Sequence, residues 1–217
     1  MILKREAAKI INEELTVDDS LFLYHDVCTN GIGYVDLMFK TDSIAPEQIP
    51  YLGLLKSVLG YVDTENYTYG ELFNEINANT GGINCGVEVF DRADSTEEFQ
   101  AMFSVKGKAL YTKMDFLFKM IGEILNSSKL EDTKRLYEIV ASVKSRAQVN
   151  LTGAGHSTAV LRAAAYSSPM AAFQDEMAGI GYYQFIEKLE KDFEQRKEET
   201  VEELCKLMKK FSVRRTL

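Results

Sequence analysis

The chain has 217 residues, a mass of 24.5 kDa and 46% hydrophobic residues, enough to bury a substantial core within one domain. Its formal charge of -8 and pI near 5.0 argue against a nucleic-acid surface, which draws on a basic stripe that releases counterions. The three cysteines, Cys28, Cys85 and Cys205, are widely spaced with no CxxC pair, so they suggest neither a disulfide framework nor a zinc knuckle. The first six residues already carry charge and no segment approaches a membrane-spanning apolar run, so the expectation is an intracellular, cytoplasmic chain with no membrane partner.

The first half alternates with period two, in Leu21, Leu23, His25 and Val27 and again in Val35, Leu37 and Phe39, with Asn30-Gly31 between them as a hairpin-turn signal. Ala45-Pro46-Glu47 opens a helix whose apolar face is Leu52, Leu55, Val58 and Leu59. Thr68 and Glu71 form a capping box for a second helix, carrying Leu72, Phe73 and Ile76 and ending at Asn79-Thr80-Gly81-Gly82. Two more alternating runs follow, Ile83 to Val89 and Phe99 to Val105, joined by a polar stretch from Asp91 to Glu98 that suits a hairpin loop.

From Thr112 the period becomes helical. Met114, Leu117, Ile121, Ile124 and Leu125 form one stripe, and Leu136, Ile139, Val140 and Val143 another, the latter opened by a Ser128/Glu131 capping box. Gly153-Ala154-Gly155 breaks the chain before an alanine-rich helix, Ala163 to Ala165, that ends by Pro169. Gly181 to Phe211 reads as two charged helices meeting near Lys197, and Phe211-Ser212-Val213 as the start of a strand that the chain leaves truncated. The expected fold is α+β, an antiparallel sheet of four or more strands packed against several helices in a single domain over 1–217.

Several segments, in order, resemble a known family. Thr29-Asn30-Gly31-Ile32-Gly33-Tyr34 is followed by Pro46 to Leu55, then Tyr69-Gly70-Glu71-Leu72, Thr80-Gly81-Gly82-Ile83, Gly155-His156-Ser157 with Arg162, and Gly179-Ile180-Gly181-Tyr182-Tyr183-Gln184-Phe185. The series resembles the presequence-protease branch of the insulinase, or pitrilysin-type, zinc metallopeptidases, and within it the third, non-catalytic associated domain of a four-domain polypeptide. The resemblance implies that zinc sits in another domain, on an HxxEH motif that this sequence lacks. It also implies a chain that is a fragment of a larger protease and shares in enclosing a peptide-sized chamber. Its partners would be the catalytic half of the same polypeptide and oligopeptide substrates.

No catalytic or metal residue transfers, and no substrate-binding residue is assigned. Arg162 and Tyr166 stand four apart, without the glycine-rich context of the family's arginine and tyrosine that reach the active site, so that role is not carried over. His25, on the apolar face of a strand, and His156, at a helix start, read as hydrogen-bonded structural histidines. Ser157 lacks a GxSxG context, Cys28 and Cys85 lack an activating signature, and Gly81-Gly82 leads from helix into strand, opposite to a phosphate loop. Met102 and Met114 read as core fillers, with an adaptable peptide-facing surface as the sharper alternative. Tyr34, Tyr182 and Tyr183 fit either an interface or burial. Lys209, Lys210, Arg214 and Arg215 read as a cationic helix end.

The sequence therefore points to a non-catalytic domain of a zinc-dependent metalloendopeptidase, inactive as an isolated chain, that forms part of the chamber wall opposite the zinc. The alternative is a stand-alone peptide-binding or assembly module of the same fold.

Overall fold

Alternation of inward and outward side chains organises the strands, and a computed structural model, describing residues 11–17, 20–92 and 95–211, shows how they pair. The strands are β1 (Ile11–Val17), β2 (Ser20–Asp26), β3 (Ile32–Lys40), β4 (Ile83–Arg92) and β5 (Ser95–Leu110). A 3-10 turn at Pro46–Gln48 leads into α1 (Ile49–Val58), and α2 (Tyr69–Asn79) precedes β4. After β5 come α3 (Met114–Ser127), α4 (Thr133–Gly153), α5 (Gly155–Ala164), α6 (Pro169–Ala178), α7 (Ile180–Lys191) and α8 (Phe193–Lys210). The fold is α+β with antiparallel sheets. Among the described residues the main sheet has three strands, in the order β3-β5-β4, and β1 and β2 form a separate two-stranded ribbon, so one sheet of four or more strands is not what they form.

Asn30 and Gly31 do make a turn, with φ of 51° and 83° and the Ile32 N–H donating to the Thr29 carbonyl at 3.2 Å. The strands it joins nevertheless lie in different sheets. β2 pairs with β1, while β3 pairs with β5 from Ile32 opposite Leu110 to Lys40 opposite Met102. A two-residue turn dictates a reversal of direction, but burial decides the partner: β3 packs Val35, Leu37 and Phe39 against the core, whereas β2 is exposed along its length. The β4–β5 connection is tighter than the polar stretch suggested, because pairing continues to Arg92 opposite Ser95.

The inner face of the sheet presents Ala101, Phe103, Val105 and Ala109 to the helices, and the expected stripes of α1, α3 and α4 are all buried. The ring of Phe103 stacks on Phe211, just beyond α8, at 4.4 Å between centroids, and Phe39 meets the same ring at 5.7 Å. Phe73 departs from expectation: it lies on the outer side of α2, 55% exposed.

Helix ends show where local pattern suffices. The Glu71 N–H donates to Thr68 Oγ1 at 3.3 Å while the Thr68 N–H donates to Glu71 Oε2 at 3.0 Å. The Thr68 N–H, and after it the Thr68 hydroxyl, hold the Glu71 carboxyl below its ordinary value of 4.5. A depressed carboxylate contributes its stability above that value and loses it as pH falls. The expected result is that Glu71→Gln lowers the unfolding midpoint at pH 7 and that the gap from wild type closes toward pH 3, measured by thermal unfolding across that range.

The second expected box is absent. Ser128 instead donates back to the Ile124 carbonyl at 2.7 Å, and Asp132 caps α4 by accepting from the Arg135 N–H at 3.0 Å. Pro169 closes off α5 by opening α6 as its first residue, with the Ser168 hydroxyl accepting from the Ala171 N–H at 3.3 Å. The final helices meet at Asp192, not Lys197. The strand expected at Ser212-Val213, like Arg214 and Arg215, lies outside the described residues.

Candidate functional site

The outer face of the three-stranded sheet is the chain's main concave surface. Period-two alternation turns Tyr34, Asp36, Met38 and Lys40 of β3 and Met102, Lys106 and Lys108 of β5 away from the helices. The ribbon faces this surface with Leu21, Leu23 and His25, and the space between them is a groove of ≈ 1130 Å³. Both of its walls are largely apolar, with charges distributed along the floor.

Those charges are not equivalent. Lys106 Nζ lies 2.8 Å from Glu88 Oε1 and 3.6 Å from Asp36 Oδ2, joining three strands, and the Glu88 hydrogen bond raises the lysine's pKa. Lys40 and Lys108 form no ion pair among the described residues. The stem of Lys108 lies over Gly81, where a Cβ would meet its Cγ and Cε at 2.7 Å, and the Gly81 N–H donates to the Lys108 carbonyl at 2.7 Å. Gly82 follows with φ 105°, so the glycine pair serves the turn from α2 into β4 and the seating of this lysine.

The residues singled out from sequence scatter over the fold. His25 faces the groove from an exposed strand, a setting the expected apolar face of a buried sheet did not describe, and His156 is exposed in the first turn of α5. Among the described residues no group of three or more His, Cys, Asp or Glu is arranged to hold a metal ion. Cys28 is exposed and its thiol donates to Asn30 Oδ1 at 3.8 Å. Burial pushes the Cys85 thiol up to about 12 and raises that of Cys205, opposite to what a nucleophile needs. Ser157 is exposed on α5. Met102 lines the groove, whereas Met114 packs on the core and fills the place a side chain at Gly33 would occupy. Tyr34 is exposed in the groove, Tyr182 is buried, and the Tyr183 hydroxyl donates to Glu187 at 2.8 Å. Lys210 donates to the Ser43 carbonyl at 2.7 Å, tying the end of α8 to the loop after β3.

One polar centre escaped the sequence reading. Asp175 of α6, its side chain 2% exposed, accepts from Arg162 Nη1 at 2.6 Å, from the Ile180 N–H at 3.0 Å and from the Gly181 N–H at 3.1 Å. Its carboxylate thus caps α7 from the preceding helix. Gly179 and Gly181 leave the room: a Cβ on Gly179 would meet the Asp175 Cα at 2.9 Å, and one on Gly181 the Asp175 Oδ2 at 2.9 Å. The next residue, Tyr182, packs on Gly53 of α1, and Tyr51 meets Phe185 edge to face at 4.9 Å. Two segments far apart in sequence, around Gly53 and Gly181, are therefore one packing unit. Arg162 is a scaffold residue here, its guanidinium 5.7 Å from the Tyr166 ring centroid.

Among the described residues no helix is long and apolar enough to cross a membrane. Comparison with known proteins finds Protein HypA of Clostridium perfringens, 36% identical over 188 residues, covering 87% of this chain and 19% of that protein. The mitochondrial presequence protease of Yarrowia lipolytica is 29% identical over 167 residues, 77% of this chain and 17% of that protein. Presequence protease 1, chloroplastic/mitochondrial, of Arabidopsis thaliana is 28% identical over 169 residues, 78% of this chain and 16% of that protein. The chain thus spans less than a fifth of the length of these relatives. The model of the peptidase-associated family, the associated domain of insulinase-type peptidases of the presequence-protease kind, matches residues 3–189, most of the chain, and the chain belongs to that family.

Proposed function

We propose that this chain acts as a non-catalytic domain of a zinc-dependent metalloendopeptidase that degrades oligopeptides, and that its groove forms part of the chamber wall opposite the zinc. The observation that carries this reading is the groove itself, an open, mostly apolar surface wide enough for a peptide on a chain that belongs to a peptidase-associated family. The residues present do not fit a zinc site: His25 is on β2 and His156 on α5, outside any metal-holding cluster among the described residues. Zinc would be held by another domain, and this chain would be one of about four domains of an intracellular polypeptide. Its acidic surface suits neighbouring domains and peptides better than nucleic acid.

The test uses the native polypeptide. Peptides of this chain, followed by mass spectrometry after denaturing size separation, are expected in a species on the order of 100 kDa, the mass of about four such domains. That species, purified, is expected to cleave unstructured oligopeptides and to stop when zinc is chelated. The chain alone is expected to take up no stoichiometric zinc and to cleave nothing. A native mass of 24.5 kDa would transfer the function to a stand-alone binding module, and chelator-resistant cleavage would overturn the zinc mechanism.

A further inference from the structure

The two ends of the groove differ from its middle, and the difference specifies an occupant. Lys108 lies opposite Tyr34, and Lys40 opposite Met102, so the two lysines bracket about six residues of strand, roughly 20 Å. Between them Lys106 is already matched by Glu88 and Asp36 and offers little to a further anion. The floor between the lysines is apolar through Tyr34, Met38 and Met102, and the roof is apolar through Leu21 and Leu23. An extended peptide in this space sends alternate side chains to floor and roof, and meets apolar groups on both.

From this geometry we infer that the groove selects extended oligopeptide segments of about six residues with an uninterrupted apolar centre and a carboxylate at each end. The inference rests on the reading of the chain as a chamber wall and names the substrate class that wall prefers. Lys40 and Lys108 supply the two ammonium groups, and the packing of the Lys108 stem over Gly81 orders one of them before the peptide arrives. Met38 and Met102, unbranched and polarizable, let the floor adapt to apolar side chains of different shape. A segment with lysine or arginine at its ends meets like charge at both ends and is disfavoured.

The experiment uses the full-length polypeptide with its zinc chelated, so that binding is read without cleavage. Two fluorescent eight-residue probes share a centre of valine, phenylalanine and threonine, one ending in glutamates and the other in lysines, and their affinities are measured by anisotropy. The glutamate-ended probe is expected to bind about tenfold more tightly at low salt, with the preference shrinking at 0.5 M salt as exposed ion pairs are screened. The double reversal Lys40→Glu with Lys108→Glu is expected to invert the preference, and the milder Lys40→Gln with Lys108→Gln to abolish it; circular dichroism confirms that both variants fold. Equal affinities, or a preference untouched by the reversal, would overturn the inference, including the case in which another part of the polypeptide already fills the groove. If that occurs while chelator-sensitive cleavage of neutral peptides persists, the chamber-wall reading stands without the charge selection. Charge-selective binding with no cleavage under any condition would refute the peptidase reading and leave the groove's preference intact.

Discussion

Asp175→Ala is expected to destabilise the fold by roughly 3 kcal/mol, the sum of leaving two helix-start N–H groups without their acceptor. Its carboxylate is buried and receives the Ile180 and Gly181 N–H groups and the Arg162 guanidinium. Alanine removes all three hydrogen bonds and leaves a space too confined for water to enter freely, because Gly179 and Gly181 close around the carboxylate. Asp175→Asn should cost about half as much, since its amide oxygen still accepts one backbone N–H while the negative charge at the start of α7 is lost. Urea unfolding at neutral pH distinguishes the outcomes through the midpoint, with the slope unchanged. A cost below about 1 kcal/mol for the alanine variant would mean that the α7 start finds other acceptors and that Asp175 is dispensable.

The second large effect comes from a helix glycine. Gly53→Val is expected to cost about 3 kcal/mol, because a Cβ there would meet the Tyr182 ring at 2.8 Å and the Met177 backbone carbonyl at 3.0 Å, and valine adds two methyl groups beyond it. The Tyr182 ring is fixed by burial and the carbonyl by α6, so neither can yield cheaply. Gly122, inside α3, makes the contrast: its Cβ would meet only Asn126 Nδ2 at 3.9 Å. Gly122→Ala should therefore stabilise by roughly 0.5–1 kcal/mol through helix propensity alone. Opposite signs for two helical glycines, read by thermal unfolding of both variants, would establish that α1 is held by the approach of α7; a neutral Gly53→Val would contradict that packing.

Residue patterns that act within a turn or two were legible in the sequence. The Thr68–Glu71 box and the stripes of α1, α3 and α4 needed only spacing, because the groups that meet are neighbours on one helix. Ser128 and Glu131 have the same spacing and fail for a tertiary reason: the Lys129 N–H is held by the Asp63 carbonyl and Ser128 bridges to Thr64, so the backbone stays extended until Asp132. The turn at Asn30-Gly31 was legible while the partner of β3 was not, since pairing β3 with β5 brings together residues from opposite sides of the intervening helices. The ordered segments around Gly53 and Gly181 carried the family resemblance, but only their contact explains why those positions are glycine. The groove was least legible: Lys40 and Lys108 look like any surface lysines until the register sets them at its two ends.

Phe211 completes the core late in synthesis. It is 1% exposed and lies against Phe39 and Phe103, so the inner face of the sheet is covered in part by a residue just past the last described helix. A ribosome extends the chain at about 5–20 residues per second. The strands and most helices therefore emerge seconds before the aromatic ring that completes their packing. During that interval the face of Phe39 and Phe103 is open to wrong partners, and the hairpin of β4 and β5 waits with it. Arrest of synthesis before α8 is complete should leave a nascent chain that chaperones hold and proteases cut, and release should come only when Phe211 has left the exit tunnel.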